Sequence, residues 1–310
     1  MSSIARRPPW LAVLPIVLAL ALAGCSGSGA DASPAASRSA APAGPSTAAS
    51  STASATAVPK PDHTVVVVFE NKQRSDVLGS GAAPYLDSLA RTGADMQQSF
   101  GNVHPSQPNY LAMFSGSLQG VTSNDCPQDL GPVPNLGRQL LDAGLTFTGY
   151  AESLPSVGYT GCVSGQYQRK HNPWVNFSNI PSELNQPFSS FPSDFTQLPT
   201  VAFVTPNMCS DMHDCSVSDG DAWARANLDR YAQWARTHNS LLVVTFDENS
   251  GGDTNPIPTI LVGQRVRAGG FDEQMNQFTL LRTIEDAYGL DPLEDAATVE
   301  PLHAIWTTGG

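Results

Sequence analysis

Two adjacent carboxylates, Asp247 and Glu248, follow the apolar run Leu241-Leu242-Val243-Val244 in the stretch Thr245-Phe246-Asp247-Glu248-Asn249. A short apolar run of this kind is expected to form a buried strand. In open α/β sheets, ligands gather where strands reach their carboxyl ends. At such an end both acids can turn toward one cation, although an acidic pair after a strand serves equally well as a capping turn. A second strand ends in the same way: Thr64-Val65-Val66-Val67-Val68-Phe69 runs into Glu70-Asn71, a carboxylate beside an amide. A third run, residues 200–205, leads into a loop bracketed by Cys209 and Cys215 that carries Asp211, His213 and Asp214.

Ser106 lies in the stretch His104-Pro105-Ser106-Gln107-Pro108-Asn109-Tyr110. It is expected at or near a helix N-cap, with Pro108 in the first turn. There a hydroxyl faces free backbone N–H groups and a dipole that favours anions; a plain capping serine is the simpler reading. Arg169-Lys170-His171-Asn172-Pro173 is a cationic cluster in an acidic chain, which by itself reads as a surface loop. Hard oxygen ligands and a histidine around a serine suit phosphoryl transfer. Divalent ions neutralise phosphate oxygens, lower the pKa of a bound hydroxyl and align an in-line displacement. The serine would attack phosphorus and give a phosphoseryl intermediate that water then cleaves.

The elements that must position these residues alternate along the chain. Strands are predicted at 64–69, 145–150, 200–205, 241–244 and 258–262. Helices are predicted at 84–92, after Ser106, at 135–144, after a capping Asp219, and at 278–288. The helix after Asp219 has an apolar face of Ala224, Leu228, Tyr231 and Ala235. This alternation predicts an α/β domain with a mainly parallel sheet, which would bring the three acidic strand ends to one edge. Residues 151–197 read as irregular, and 290–310 carry no signal.

The chain has 310 residues, enough for one large domain or two small ones. Its net charge of −12 gives no basic footprint for nucleic acid. A phosphorylated substrate is still compatible with this acidity if metal ions mask the local field. Arg6 and Arg7 precede an apolar stretch, residues 10–23, too short for a comfortable membrane span and expected to be an export signal, 1–24. It ends Leu22-Ala23-Gly24-Cys25, which resembles a bacterial lipobox and implies cleavage before a lipidated Cys25; ordinary secretion with cleavage nearby is the alternative. Residues 25–60 are nearly all Ser, Ala, Gly, Thr and Pro, the composition of a disordered tether. The folded domain is expected at 61–310. Four cysteines remain, and an even number outside the cytoplasm suggests two disulfides. Three pairings are open; Cys209–Cys215 is the most local and leaves Cys126–Cys162. The spacings do not form the paired CxxC pattern of a zinc site.

The segments FEN, HPSQPNYLA, RKHNPW, SDMHDCSVSDGDAW and TFDEN, in this order, resemble the secreted bacterial phosphoesterase family of acid phosphatases and phospholipases C, within the alkaline phosphatase superfamily. The resemblance runs from about Val65 to Leu290 and looks closest to mycobacterial-type secreted acid phosphatases, which act on phosphomonoesters including phosphoinositides. It implies an alkaline-phosphatase-like fold, with Ser106 as nucleophile. Glu70 and Asn71 match a first metal-binding pair, and Asp247 and Glu248 a second. Asn109 would hydrogen-bond a phosphate oxygen, and His171 with Lys170 would line the substrate pocket. His213 matches the middle histidine motif, with Asp211 and Asp214 counted among the metal-type side chains. Many superfamily members supply a late histidine ligand where this chain reads Asn276-Gln277-Phe278. One firmly bound divalent ion is therefore expected, and a second is left open.

The resulting expectation is a lipid-anchored, extracytoplasmic phosphomonoesterase acting on a phosphorylated small molecule or a phospholipid headgroup. A phospholipase C-type phosphodiesterase is the enzymatic alternative, to be decided by the room that residues 151–197 leave. A catalytically inactive surface-binding lipoprotein is the alternative of another class. The presence of Ser106 with all four metal-type residues argues against it.

Overall fold

Alternate valines on one strand pack to opposite sides, and both sides are covered. β1 (His63–Phe69) is buried from Thr64 onward. Val65 and Val67 pack with Leu86 and Leu228, whereas Val66 and Val68 pack with Leu111 and Leu281. A strand buried on both faces is what a helix-flanked parallel sheet requires. The computed structural model describes residues 57–252 and 254–307. The expected signal peptide, Cys25 and most of the tether lie outside the described residues.

The other strands are β2 (Ala94–Met96), β3 (Phe147–Ala151), β4 (Val163–Ser164), β5 (Tyr167–Gln168), β6 (Asn185–Pro187), β7 (Val201–Thr205), β8 (Ser240–Phe246), β9 (Thr259–Gly263) and β10 (Gly269–Phe271). The helices are α1 (Arg74–Val77), α2 (Pro84–Thr92), α3 (Ser106–Ser115), α4 (Leu136–Asp142), α5 (Val217–Ala235) and α6 (Gln277–Tyr288). Eight strands form one sheet in the order β10-β2-β9-β8-β1-β7-β3-β6, while β4 and β5 make a separate hairpin. Only β9 runs against the rest of the large sheet. β1 sits between β7 and β8, with Val66 opposite both Phe203 and Val243. The fold is α/β with a mainly parallel central sheet, as expected.

Several boundaries differ from the sequence reading for local reasons. Ser216, not Asp219, caps α5; Asp219 is the reciprocal partner in a capping box. Asn276 caps α6, so that helix starts at Gln277. β3 begins later than predicted because the Leu145 N–H still bonds back to Leu140 and closes the end of α4. The C-terminal tail carried no signal, yet Leu302, Ile305 and Trp306 are buried in the same core as α6. The irregular segment is tied down by Arg169, whose buried guanidinium donates to Asn176, Thr160, Gln128 and Asp129. Both expected disulfides are present, Cys126–Cys162 and Cys209–Cys215.

On α6, Glu285 is buried; one carboxylate oxygen accepts from the Leu293 N–H and the other has no hydrogen-bond partner. Burial pushes its pKa up from 4.5 to about 8. The folded chain therefore holds this proton up to about pH 8, whereas the unfolded chain releases it near 4.5. The unfolded state binds fewer protons in that window, so the contribution to stability is full below 4.5 and is lost progressively toward 8. Glu285→Gln keeps the acceptor and removes the charge. It should raise the melting temperature at pH 8 by roughly 5 °C and leave it nearly unchanged below pH 5. Thermal denaturation at both pH values checks this, and a pH-independent difference would contradict it.

Candidate active site

The order β8-β1-β7 sets three strand ends side by side, and the backbone laces them together. The Asp247 N–H donates to the Phe69 carbonyl at 3.1 Å, and the Glu70 N–H donates to the Asp211 carbonyl at 2.9 Å. Asn71 turns with a positive φ of 51°, a conformation an asparagine tolerates. Its N–H then donates to Asp247 Oδ1 at 3.1 Å. Gly101 runs so close to this turn that a Cβ there would lie 2.8 Å from the Asp247 carbonyl oxygen.

α3 brings Ser106 to the same place. Pro105 is its N-cap and Ser106 is its first helical residue, with no side-chain capping bond. The plain capping role is therefore not the one the serine has. Its Oγ lies 3.1 Å from Glu70 Oε2 and 2.9 Å from Glu248 Oε1. A hydroxyl has one proton to donate. Two carboxylates around one hydroxyl need a second proton or a cation between them. The opposite oxygen of Glu248 bonds to Nδ1 of His104. One helical turn along α3, the Tyr110 hydroxyl donates to Glu70 Oε1. The Tyr110 ring stacks on His171, with centroids 5.3 Å apart and planes at 15°. Nε2 of His171 lies 3.2 Å from Glu70 Oε1, and its Nδ1 lies 3.5 Å from Asp211 Oδ2.

Electrostatics mark this cluster as short of positive charge. Burial, and next the neighbouring Asp211, push the Glu70 carboxyl up to about 8. Burial pushes Asp211 up to about 7 and Asp247 well above the carboxylate range, where Glu70 and Glu248 add repulsion. Burial, and then the Lys170 ammonium, hold His171 well below its ordinary value, so it is neutral near pH 7. Lys170 is a counter-charge felt by both Glu70 and Asp211.

Buried carboxylates of like sign either take up protons or hold a cation. Among the described residues, no three His, Cys, Asp or Glu side chains are drawn together as a finished metal centre. The groups fit a divalent ion on other grounds. Oδ2 of Asp247 and Oδ2 of Asp211 are buried without a hydrogen-bond partner. The surrounding donors are hard oxygens, the set preferred by ions such as Mg²⁺, Ca²⁺ or Mn²⁺.

The remaining predicted residues fall into two groups. Glu70, Asn71, Ser106, His171, Asp211, Asp247 and Glu248 come together. Lys170 is half-buried beside them. His213 is partly exposed, with its ring 6.5 Å from His171 and its N–H on Asp211 Oδ1. Asp214 is exposed and bonds to Nδ1 of His213 rather than joining the buried carboxylates. Asn109 differs from its expected role. Its Oδ1 accepts from the N–H groups of Asn102 and Val103, and its Nδ2 donates to the carbonyls of Val103 and Pro105. The amide is spent on holding the loop that carries His104, so Asn109 shapes the site instead of touching phosphate.

Sequence reasoning missed His104, Tyr110 and Gln277. His104 stood inside the quoted motif two residues before Ser106. Tyr110 was detectable as the residue four positions after it, on the same helix face. Gln277 occupies the segment where a late histidine was expected. Its Nε2 donates to the Asp247 carbonyl at 2.6 Å and its Oε1 accepts from the Asn102 N–H. It is thus a neutral brace behind the acidic turn.

A mainly parallel sheet, with a helix-borne serine facing carboxylates from adjacent strand ends, defines an alkaline-phosphatase-like protein. Its fold is shared with a protein of the alkaline phosphatase superfamily from Vibrio parahaemolyticus, at a TM-score of 0.56 and 12% identity, covering 80% of this chain and 72% of that one. It is also shared with the lipoteichoic acid synthase LtaP from Listeria monocytogenes, at a TM-score of 0.53 and 12% identity, covering 76% and 74%. Residues 69–291 match the model of the phosphoesterase family, and the chain belongs to that family of phosphate-ester hydrolases. A phosphatidylinositol-3-phosphatase from Mycobacterium tuberculosis is 49% identical over 251 residues, spanning 80% of this chain and 84% of the relative. A phosphate-repressible acid phosphatase from Penicillium chrysogenum is 30% identical over 229 residues, spanning 67% of this chain and 55% of the relative. The chain thus spans about half the length of this fungal relative.

Proposed function

We propose that the chain is a divalent-metal-dependent phosphomonoesterase with Ser106 as nucleophile, acting outside the cytoplasm on the phosphomonoester of a phosphoinositide headgroup. The observation that carries this reading is the position of Ser106 Oγ, off the helix cap and within hydrogen-bond distance of Glu70 and Glu248. The similarity to a phosphatidylinositol-3-phosphatase along most of both chains supports the substrate class. Two disulfides support an oxidising compartment, and the lipidated Cys25 remains part of the same proposal.

In this reading Ser106 gives its proton to the carboxylate pair, and its Oγ bonds to phosphorus as the bond to the leaving alcohol breaks. The leaving oxygen takes up a proton, and water then cleaves the phosphoserine to release inorganic phosphate. Lys170 and the neutral His171 are the groups assigned to the phosphate oxygens, and His213 closes the same side. Glu70, Asn71, Asp247 and Glu248 would hold one divalent ion, with Asp211 at its margin; when bound it lowers the pKa of the serine hydroxyl and offsets phosphate charge. The buried carboxylates are the reason the serine needs that partner.

Hydrolysis of p-nitrophenyl phosphate beside p-nitrophenyl phosphorylcholine tests the reaction class. The monoester should turn over and the choline diester should not, and exhaustive chelation should lower monoester turnover about 100-fold or more, restored by a divalent cation. Diester-only turnover would replace the reading with a phospholipase C-type enzyme. Turnover of neither, with divalent ions supplied from acid to alkaline pH, would leave the binding-lipoprotein reading.

A further inference from the structure

Ser106 Oγ sits between two carboxylates, and each of them is held from its far side. On Glu70 the Tyr110 hydroxyl donates to Oε1, and Oε2 is turned to the serine. On Glu248 the Nδ1 of His104 bonds to Oε2, and Oε1 is turned to the serine. Both outer donors come from the serine's own segment, His104 two positions before it and Tyr110 four after it. Tyr110 is buried and stacked on His171, so packing alone accounts for its place. His104 is different: its side chain is 38% exposed, whereas that of Glu248 is 7% exposed.

The backbone beside His104 is clamped on both sides. Asn109 accepts from the Asn102 and Val103 N–H groups and donates to the Val103 and Pro105 carbonyls. Nδ2 of Asn255 donates to the same Val103 carbonyl at 3.0 Å, and Asn255 Oδ1 accepts from the Asn249 N–H at 2.6 Å. Asn249 follows Glu248 directly, so Asn255 ties the turn that carries the acid to the loop that carries the histidine. A histidine–carboxylate pair on an open surface is worth little. Here the acid is buried and the two backbones are fixed against each other. Among the described residues no Lys or Arg is ion-paired with Glu248, and its side-chain partners are Ser106 and His104.

We propose that His104 is a positioning residue of the phosphoryl-transfer site: through Nδ1 it fixes the Glu248 carboxylate, so that one oxygen faces Ser106 and the group is oriented to hold a divalent ion. This rests on the metal-dependent phosphomonoesterase reading of the site. The last torsion of a glutamate side chain is broad, so a carboxylate without an outer contact samples many orientations. A donor on Oε2, itself carried by a clamped loop, removes that freedom before substrate arrives. The neutral ring with its proton on Nδ1 and the imidazolium both supply this donor, so the role needs no change of charge. Carboxylates that hold metal ions are in turn hydrogen-bonded, and loss of such a partner costs about 10- to 100-fold in metal affinity or activity.

The test compares the full-length chain with His104→Ala, which removes the donor, and His104→Asn, whose Nδ2 stands near the place of Nδ1. Calorimetric titration of the chelator-stripped proteins with Mn²⁺ measures ion affinity without turnover. Hydrolysis of p-nitrophenyl phosphate at saturating Mn²⁺ gives kcat and KM. His104→Ala should bind Mn²⁺ about tenfold more weakly and lose about tenfold in kcat, with KM within about twofold of wild type. His104→Asn should recover most of both. Wild-type Mn²⁺ affinity in the alanine variant overturns the proposal. So does an asparagine variant no better than alanine, which would make the ring a support of the loop. A rise in KM with kcat unchanged overturns it too, and would place His104 on the substrate. Should the alanine variant fail to fold, His104→Ser, too short to reach Glu248, takes its place. If the wild type binds Mn²⁺ but hydrolyses no monoester, the phosphomonoesterase reading has failed and the titrations decide alone: weaker binding by alanine with recovery by asparagine supports positioning, and equal binding overturns it. A wild type that binds no Mn²⁺ overturns it outright.

Discussion

Ser106→Ala is expected to lower turnover of p-nitrophenyl phosphate by about 10³-fold or more, with the fold retained. Removal of a covalent nucleophile has an effect of this size or larger, the remainder reflecting what binding and electrostatics still contribute. The substitution suits its position. Ser106 is the first residue of α3 and makes no capping bond, so alanine there loses no helix signal. The loss should fall on kcat, with the melting temperature within a few degrees of wild type. Steady-state kinetics and thermal denaturation of the same preparation check both halves. A variant that keeps one tenth of the activity would remove Ser106 from the nucleophile's role.

Asp247→Asn should move activity and stability in opposite directions. Asn keeps an oxygen to accept the Asn71 N–H and removes a buried carboxyl that, beside Glu70 and Glu248, must either carry an unfavourable charge or take up a proton. In chelator the variant should melt several degrees higher than wild type, because an unpaired buried charge is costly. With divalent ions present its turnover should fall about 100-fold or more, and the cation should stabilise it less than it stabilises wild type. Melting curves with and without the ion, beside turnover, give both signs. A variant that is less stable in chelator would show that Asp247 holds the fold together instead of holding a cation.

The readable part of this site is the part whose signal is local. Glu70 and Asp247 each end a β-branched or apolar run, and such a run names both the strand and the end at which its acid will stand. Ser106 was readable because a proline-flanked serine before an apolar stretch marks a helix start. What stayed hidden depends on approach between distant segments. Tyr110 meets Glu70 across 40 positions, and His104 meets Glu248 across 144. No periodicity in one segment encodes such a meeting. Asn109 shows the other failure: an amide near a catalytic serine suggests phosphate binding, yet local backbone groups claim all of its hydrogen-bonding capacity. The tail stayed unread because Leu302, Ile305 and Trp306 are too few and too scattered to show a period, although the core accepts them. The fold class survived these gaps because it rests on the alternation of strands and helices, which no single misplaced boundary alters.

The most direct measurement on Ser106 as covalent nucleophile is the stereochemical course at phosphorus. A phosphomonoester made chiral with three oxygen isotopes would be supplied to the enzyme with an added alcohol as acceptor, and the configuration of the transferred phosphoryl group determined. Two in-line displacements, first by Ser106 and then by the acceptor, predict net retention. Inversion would mean that the acceptor attacks phosphorus directly, and Ser106 would then not carry the phosphoryl group.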